Sequence, residues 1–192
     1  MQQIAIFASG TGSNAARIID HFRHHPTIRI ALIVSNKPGA GVLDIAGREK
    51  IPALLIEKDP FFHNDTYVKA LREKHIDLIV LAGFLWKIPE SLVRAFPGKI
   101  INIHPALLPK FGGKGMYGRF VHEAVIAAAE KETGITIHYV DEQYDHGQPI
   151  FQARVAVAAD DTPDTVARKV QLLEHEHLPR IIEEVIHLQN HR

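Results

Sequence analysis

The chain has 192 residues, of which 46% are hydrophobic and 23% charged, a composition typical of a globular protein. Its 22 basic and 22 acidic residues balance, so no broad positive field exists for nucleic acid or an anionic membrane, and no run of about 18 apolar residues predicts a membrane span. The absence of cysteine excludes disulfides, thiolate metal sites and a thiol nucleophile, and it fits a reducing compartment, for which we expect the cytoplasm.

Short apolar segments alternate with helical patterns over the first hundred residues. Apolar runs that continue without polar interruption are typical of strands buried on both faces of a parallel sheet. The segments between them have the lengths of crossover helices. The predicted strands are 4–7, 30–34, 53–56, 78–81 and 100–103, and the predicted helices are 14–25, 41–50, 65–75 and 89–96.

The pattern changes after Asn102. A loop rich in proline and glycine runs to Gly118 and precedes a predicted helix at 119–130. Two further strands, at 135–140 and 150–157, have the spacing of a hairpin.

A long helix at 162–191 closes the chain, with Thr162 as N-cap, Pro163 at the first helical position and a break or kink at Pro179. The predicted fold is therefore one α/β domain over residues 1–192. Its sheet is doubly wound, mostly parallel and Rossmann-like, with helices on both faces and an antiparallel hairpin added near the C-terminal part.

The first strand leads into a turn of small residues, 8–14, that opens a helix. Free N–H groups at a helix start favour an anion, and small residues let a ligand approach the backbone. With Ala15 the turn satisfies a loose dinucleotide fingerprint, but the second strand ends at Ser35 and Asn36 without the acid that would hold a ribose. A phosphate monoester suits the turn better than NAD. Alternatively, the glycines serve only a tight turn.

Asn102 and His104 lie two residues apart at the end of the fifth predicted strand. Alternation along a strand sends both side chains to the same side, at the sheet edge where α/β proteins bind ligands. An amide and an imidazole aimed at one point suit an oxyanion forming at a carbonyl under attack. The alternative is a buried pair that satisfies backbone groups.

The acidic segment 138–147 follows the next strand and contains Asp145. Its carboxylate could sit beside His104 and order a water for proton transfer. Acidic turns are also common as solvated loops, so this segment gains meaning only together with the first two.

Together these segments resemble the phosphoribosylglycinamide formyltransferases, a family of folate-dependent formyltransferases, over essentially the whole chain. The motifs that carry the resemblance follow the family's order along the sequence. They are Ser-Gly-x-Gly-Ser-Asn at 9–14, Leu-Ala-Gly-Phe at 81–84, Asn-Ile-His-Pro-x-Leu-Leu-Pro at 102–109, Asp-x-Gly at 145–147, and Glu174-His175 with Pro179.

The resemblance implies formyl transfer from 10-formyltetrahydrofolate to the amine of 5'-phosphoribosylglycinamide in purine biosynthesis. Residues of about 1–100 would bind the ribonucleotide, and residues of about 101–192 would carry catalysis and folate binding. Asn102 and His104 would stabilise the tetrahedral intermediate, and Asp145 would support His104 and move protons through water. The implied substrate contacts are Thr11, Gly12, Ser13 and Asn14 for the phosphate and Glu174 for the glycinamide portion.

The folate pterin of this family lies against 85–88 and the loop at 139–145. The residues implied to contact it are Leu85, Trp86, Lys87, Ile88, Asn102, Tyr139, Val140, Asp141 and Asp145. Trp86 departs from an arginine familiar in relatives and would replace a charge contact by stacking.

The loop at 111–118 resembles the form found in plants and some bacteria. Its glycines predict a mobile cover, with Lys110 and Lys114 as phosphate or carboxylate partners; plain flexibility is the alternative.

Thirteen histidines raise the question of a metal site. Groups such as His21, His24 and His25, or His187 and His191, lack nearby carboxylates in sequence and are interpreted as solvated helix faces, so no metal is expected. The expected partners are the two small substrates, without nucleic acid or membrane, and the chain is expected to be a monomer or homodimer.

Three alternative functions remain open. A methionyl-tRNA formyltransferase would need a further domain and a basic surface. A formyltetrahydrofolate hydrolase would carry a regulatory domain. A non-catalytic nucleotide-binding module would use the phosphate turn alone.

Overall fold

Seven strands form one mixed sheet in the computed structural model, which describes residues 1–190. In chain order the strands are β1 (Gln2–Phe7), β2 (Ile28–Ser35), β3 (Ala53–Leu55), β4 (Leu78–Leu81), β5 (Ile100–His104), β6 (Glu132–Tyr139) and β7 (Pro149–Ala156). Their order in the sheet is β3-β2-β1-β4-β5-β6-β7. The first five are parallel, and β6 pairs antiparallel with both β5 and β7. This arrangement confirms the predicted fold.

Helices cover both faces of this sheet. They are α1 (Ser13–Phe22), α2 (Gly41–Glu49), α3 (Lys58–His63), α4 (Thr66–Glu73), α5 (Glu90–Ala95), α6 (Arg119–Ala127) and α7 (Pro163–Asn190). Because side chains alternate along a strand, Ile4 and Ile6 of β1 enter the core beneath α1, α2 and α7, whereas Ala5 and Phe7 enter the core beneath α3, α4 and α5. The continuous apolar runs thus fill two cores, one on each face.

The structure differs from the predicted elements in a few places. The short helix α3, Lys58–His63, was not predicted, because six residues are too few for a helical period to stand out. Strand β6 begins at Glu132, three residues early, since pairing with β7 extends it. Helix α7 continues through Pro179 without a break, and the buried side chains of Leu178 and Ile182 pack it onto the core. The predicted helix end at His191 lies outside the described residues.

Among residues 1–190, no helix combines the length and the apolar character that crossing a bilayer requires.

Candidate active site

A cavity of ≈ 940 Å³ opens where β1, β4 and β5 reach their carboxyl ends. The turn after β1, the loop after β4, the end of β5 and the first half of α7 form its walls. Open α/β sheets bind ligands in this crevice, because parallel strands all deliver their following loops to the same edge. The turn at 8–14, the end of β5 with Asn102 and His104, and the acidic segment 138–147 all contribute residues to this one cavity.

The turn after β1 forms one end of the cavity. Gly12 is the N-cap of α1 with φ of 81°, and no side chain caps the helix, so the N–H groups of its first turn are open to an anion. A Cβ on Gly12 would lie within 2.9 Å of Val42 and 2.8 Å of Ile45, which excludes larger residues. Both the backbone angle and the packing against α2 therefore require glycine.

This turn is tied to its neighbours by Ser9. The Ser9 hydroxyl donates to Asn36 at 2.6 Å and accepts from the Leu85 amide at 2.9 Å. The cavity reaches the turn through Ser9, Gly10 and Asn14. Thr11, Gly12 and Ser13 are adjacent in the chain but do not line the cavity itself, and the Ser13 hydroxyl accepts from Gln171 at 3.2 Å.

Asn102 and His104 line the opposite wall from β5, as their alternation predicts. His104 is 3% exposed, and Nε2 of its ring donates to the Phe111 carbonyl at 2.7 Å. Its Nδ1 lies 3.5 Å from Oδ2 of Asp145. The amide of Asn102 contacts His138, a residue of the adjacent strand β6, at 3.1 Å. The His104 imidazole therefore has a partner at each ring nitrogen, and the Asn102 amide has one at its nitrogen.

Asp145 joins this wall from the loop between β6 and β7. Its backbone has φ of 51°, and its Oδ2 accepts from the Gly113 amide at 2.9 Å. Together with the Phe111 carbonyl on His104, this bond attaches the glycine-rich loop to both members of the pair. A Cβ on Gly112 would lie 2.5 Å from a Leu108 methyl and 3.3 Å from Cβ of Asp145, so the loop packs closely here.

Glu174 enters the cavity from α7 and accepts a hydrogen bond from the Asn14 amide at 2.9 Å. Burial raises the pKa of the Glu174 carboxyl, an effect that the Asn14 hydrogen bond partly offsets. An unneutralised acid at this depth is expected where a cationic or N–H-bearing ligand group completes its surroundings.

The two predicted lysine contacts separate in space. Lys114 lines the cavity, as part of the glycine-rich loop. Lys110 instead pairs with Glu130 at 2.8 Å and lines a different, smaller cavity of ≈ 230 Å³. Lys110 is thus directed away from the large cavity, and its predicted substrate contact is not supported.

The segment 85–88 supplies a third wall, to which Leu85, Trp86, Lys87 and Ile88 all contribute. The ring of Trp86 lies 5.6 Å from the ring of Phe61 and 5.7 Å from that of Phe62, so an aromatic cluster fixes it. This wall is apolar and suits a flat ring system.

The segment after β6 also lines the cavity, next to the wall formed by 85–88. Val140 and Asp141 line the cavity, whereas Tyr139 does not. The backbone of Tyr139 is used within the protein: its N–H donates to Gln148, and its carbonyl accepts from His138. The predicted contact of Tyr139 with a ligand is therefore not supported.

Two buried histidines that were not predicted to belong to the site also line the cavity. His138 is 2% exposed and His122, on α6, is 6% exposed. Burial lowers the pKa of both rings; for His122, nearby His104 lowers it further, whereas for His138 the Tyr139 carbonyl works against burial. Nδ1 of His122 has no hydrogen-bond partner within residues 1–190. In the sequence, the only indication for His122 is that this polar residue lies on the otherwise apolar, buried face of α6, with Val121 and Val125.

Another histidine cluster lies on the surface between α1 and α7. His25, Glu183 and His187 have potential ligand atoms within 4.8 Å of one another, so the acid missing from the local sequence comes from another helix. Nδ1 of His25, however, accepts the Ile28 amide at 3.1 Å, which leaves the proton on Nε2, facing Glu183. A metal-binding histidine donates from its remote nitrogen instead. The observed bonds favour a hydrogen-bonded network in which Glu183 accepts from the histidine rings of His21 and His25.

Comparison with known proteins identifies the family that this chain matches. Residues 2–182 match the Formyl transferase family. The chloroplastic phosphoribosylglycinamide formyltransferase of Arabidopsis thaliana is 41% identical over 91% of this chain and 62% of its own length. The phosphoribosylglycinamide formyltransferase of Bacillus subtilis (strain 168) is 35% identical over 99% of this chain and 97% of its own length.

A solved structure of a similarly named protein has the same fold as this chain. The crystal structure of phosphoribosylglycinamide formyltransferase from Bacillus halodurans has a TM-score of 0.86 and 37% identity, covering 96% of this chain and 95% of that chain. This chain thus spans less than two thirds of the Arabidopsis relative and nearly all of the two bacterial ones.

Proposed function

The chain belongs to the phosphoribosylglycinamide formyltransferase family of formyl transferases, and we propose that it transfers the formyl group of 10-formyltetrahydrofolate to the amine of 5'-phosphoribosylglycinamide in de novo purine biosynthesis. One observation carries the proposal. Asn102, His104 and Asp145 assemble at one wall of a cavity that borders the open N-terminus of α1 through Asn14 and has an apolar aromatic wall.

The ribonucleotide is proposed to bind with its phosphate at the start of α1. The open N–H groups at residues 11–14 suit a phosphate monoester, and Lys114 adds a positive charge from the facing loop. Glu174 then receives the glycinamide portion, because its buried carboxylate accepts N–H groups beside Asn14. The amine is thereby directed from the turn toward the wall of Asn102 and His104.

The folate is proposed to lie along the third wall. Trp86, Ile88 and Val140 supply apolar surface for the flat pterin, and polar groups at its edges come from the backbone at 85–88 and 140–141 other than the N–H groups of Leu85 and Val140, which donate within the protein. These residues suit a ring system that is apolar on its faces and polar at its rim.

The chemistry is a direct transfer. The amine nitrogen attacks the formyl carbon, the bond from that carbon to N10 breaks, and one proton passes from the amine to N10. Asn102 donates its amide N–H to the oxygen that becomes negative. His104 donates or relays a proton, with Asp145 stabilising its charged form and ordering the water that carries the proton. No covalent intermediate with the protein is required.

The test is the absorbance change on mixing the purified protein with 10-formyltetrahydrofolate, with and without 5'-phosphoribosylglycinamide. Reaction only with the ribonucleotide present is the expected result. Folate consumption without it identifies a hydrolase, and no reaction in either mixture identifies a binding module.

We further propose that the reaction needs no metal and proceeds in the cytoplasm, in a monomer or homodimer with small molecules as its partners. Every step above uses groups of the chain itself. Turnover should therefore be unchanged after dialysis against EDTA, and a loss that zinc or magnesium restores would contradict the proposal.

A further inference from the structure

We infer that His138 is a positioning residue that fixes the orientation of the Asn102 side-chain amide for catalysis. The inference rests on the proposed role of Asn102 as a hydrogen-bond donor in formyl transfer. Strands β5 and β6 are antiparallel neighbours, and their register places Asn102 directly opposite His138. Residues in such a pair have adjacent side chains on the same face.

The ring of His138 has a polar partner at each nitrogen. Nδ1 lies 2.8 Å from the carbonyl oxygen of Tyr139, and Nε2 lies 3.1 Å from Nδ2 of Asn102. A carbonyl oxygen only accepts hydrogen bonds, so Nδ1 must carry a proton. A neutral imidazole has one N–H group, which leaves a lone pair on Nε2.

The surroundings keep the ring neutral. His138 is 2% exposed, and burial, together with nearby His104, lowers its pKa more than the Tyr139 carbonyl and the carboxylates of Asp145 and Asp141 raise it. The facing charged groups are Asp145, whose Oδ1 is 3.8 Å from Nε2, together with Asp141 and the ring of His104. The neutral ring with its proton on Nδ1 satisfies both contacts.

This tautomer decides which way the Asn102 amide faces. The oxygen and nitrogen of an amide are nearly equal in size, so shape alone does not distinguish the two orientations. The lone pair on Nε2 accepts one N–H of Asn102, whereas the reversed amide would set oxygen against that lone pair. Asn102 is therefore held with its nitrogen toward His138 and its second N–H available to the cavity that it lines.

The orientation matters because the proposed reaction builds negative charge on the formyl oxygen. An amide N–H stabilises that charge, and an amide oxygen in its place would oppose it. Binding of the uncharged formyl group depends much less on the choice. The orientation of Asn102 should hence affect kcat more than KM.

Two substitutions separate the two ring contacts. The amide of asparagine reaches the place of Nδ1 only, whereas the amide of glutamine reaches the place of Nε2 and can offer an oxygen there. His138→Asn should lower kcat roughly tenfold or more, with KM for both substrates within about twofold, because Asn102 loses its acceptor. His138→Gln should restore a large part of kcat. Thr133→Val, which changes another buried polar residue of β6 outside the large cavity, is the matched control and should retain kcat.

A double-mutant cycle distinguishes positioning from a general loss of structure. In the Asn102→Ala background, His138→Asn should cause no further fall in kcat, because the group that it positions is already absent. An equal fall in both backgrounds, or a fall in Thr133→Val matching that in His138→Asn, would overturn the inference.

The native protein provides a second readout that needs no folded variant. Ring-nitrogen NMR should report His138 as the tautomer protonated at Nδ1; protonation at Nε2 would sink the inference even if the protein transfers formyl groups. Absence of formyl transfer by the native protein contradicts the proposed function instead, and the tautomer still decides whether His138 holds the Asn102 amide.

Discussion

Oδ2 of Asp145 lies 3.5 Å from Nδ1 of His104, at the junction of the β6–β7 loop with the end of β5. The same oxygen accepts the Gly113 amide, and the other ring nitrogen of His104 bonds the Phe111 carbonyl. One loop thus holds both members of the pair. The proton-transfer groups and the loop beside the cavity form a single hydrogen-bonded unit.

Replacing His104 or Asp145 should lower the rate of formyl transfer much more than the affinity for the ribonucleotide. His104→Ala or Asp145→Asn is expected to lower kcat by about 10²- to 10³-fold, because both groups act on charge that develops in the transition state. Calorimetric titration should give a ribonucleotide Kd within a few-fold of the native value. His63→Ala, at an exposed histidine of α3, is the control and should retain kcat. Unchanged turnover in His104→Ala would remove the mechanism.

The close packing of Gly112 predicts a sensitive position in the loop. Gly112→Ala should lower kcat by roughly tenfold, because the new methyl would meet Leu108 and press on Asp145, displacing the loop that holds the pair. Steady-state kinetics measure the effect. Gly47→Ala, in α2 with open space around it, is the matched control and should keep kcat while raising stability by about 1 kcal/mol. Equal kinetics for the two variants would show that the loop packing is irrelevant to turnover.

Glu174 should cost stability at neutral pH in exchange for ligand binding. Its folded pKa is raised by burial, so its contribution to stability is present in full below the ordinary carboxyl value and is lost as pH rises through the raised value. Glu174→Gln should therefore raise the unfolding midpoint at pH 7, by about 2–4 °C, and have less effect at pH 4. KM for the ribonucleotide should rise about tenfold. A variant less stable than the native protein at pH 7 would contradict this account.

Two buried histidines and one half-buried histidine predict the opposite trend with acid. The pKa values of His122, His138 and His175 are all lowered by burial, so the unfolded chain binds protons before the native state does as pH falls. The stability that these rings confer as neutral groups is complete above the ordinary histidine value of about 6.5 and should decline as the pH falls through and below that value. Urea unfolding at several pH values measures the decline, which should be smaller in His122→Leu. Equal stability of the native protein at pH 5 and 7 would exclude the effect.

Local pattern in the sequence was sufficient for much of the fold. Apolar runs and crossover lengths predicted the parallel strands, because burial on both faces leaves no room for polar residues within them. The edge carrying the cavity followed from the same pattern, and alternation along β5 placed Asn102 and His104 on one side. Helix α3 was not predicted, because a segment of six residues is too short to show a helical period.

Only the tertiary structure decided the contacts between distant segments. It paired Asn14 with Glu174, aimed Lys110 at Glu130 instead of the cavity, and set His138 against Asn102. Local pattern depends on the periods of helices and strands, which the sequence displays directly. Which polar atoms meet across a cavity depends on strand register and loop paths, and these are determined by the packing of the whole chain rather than by any segment of it.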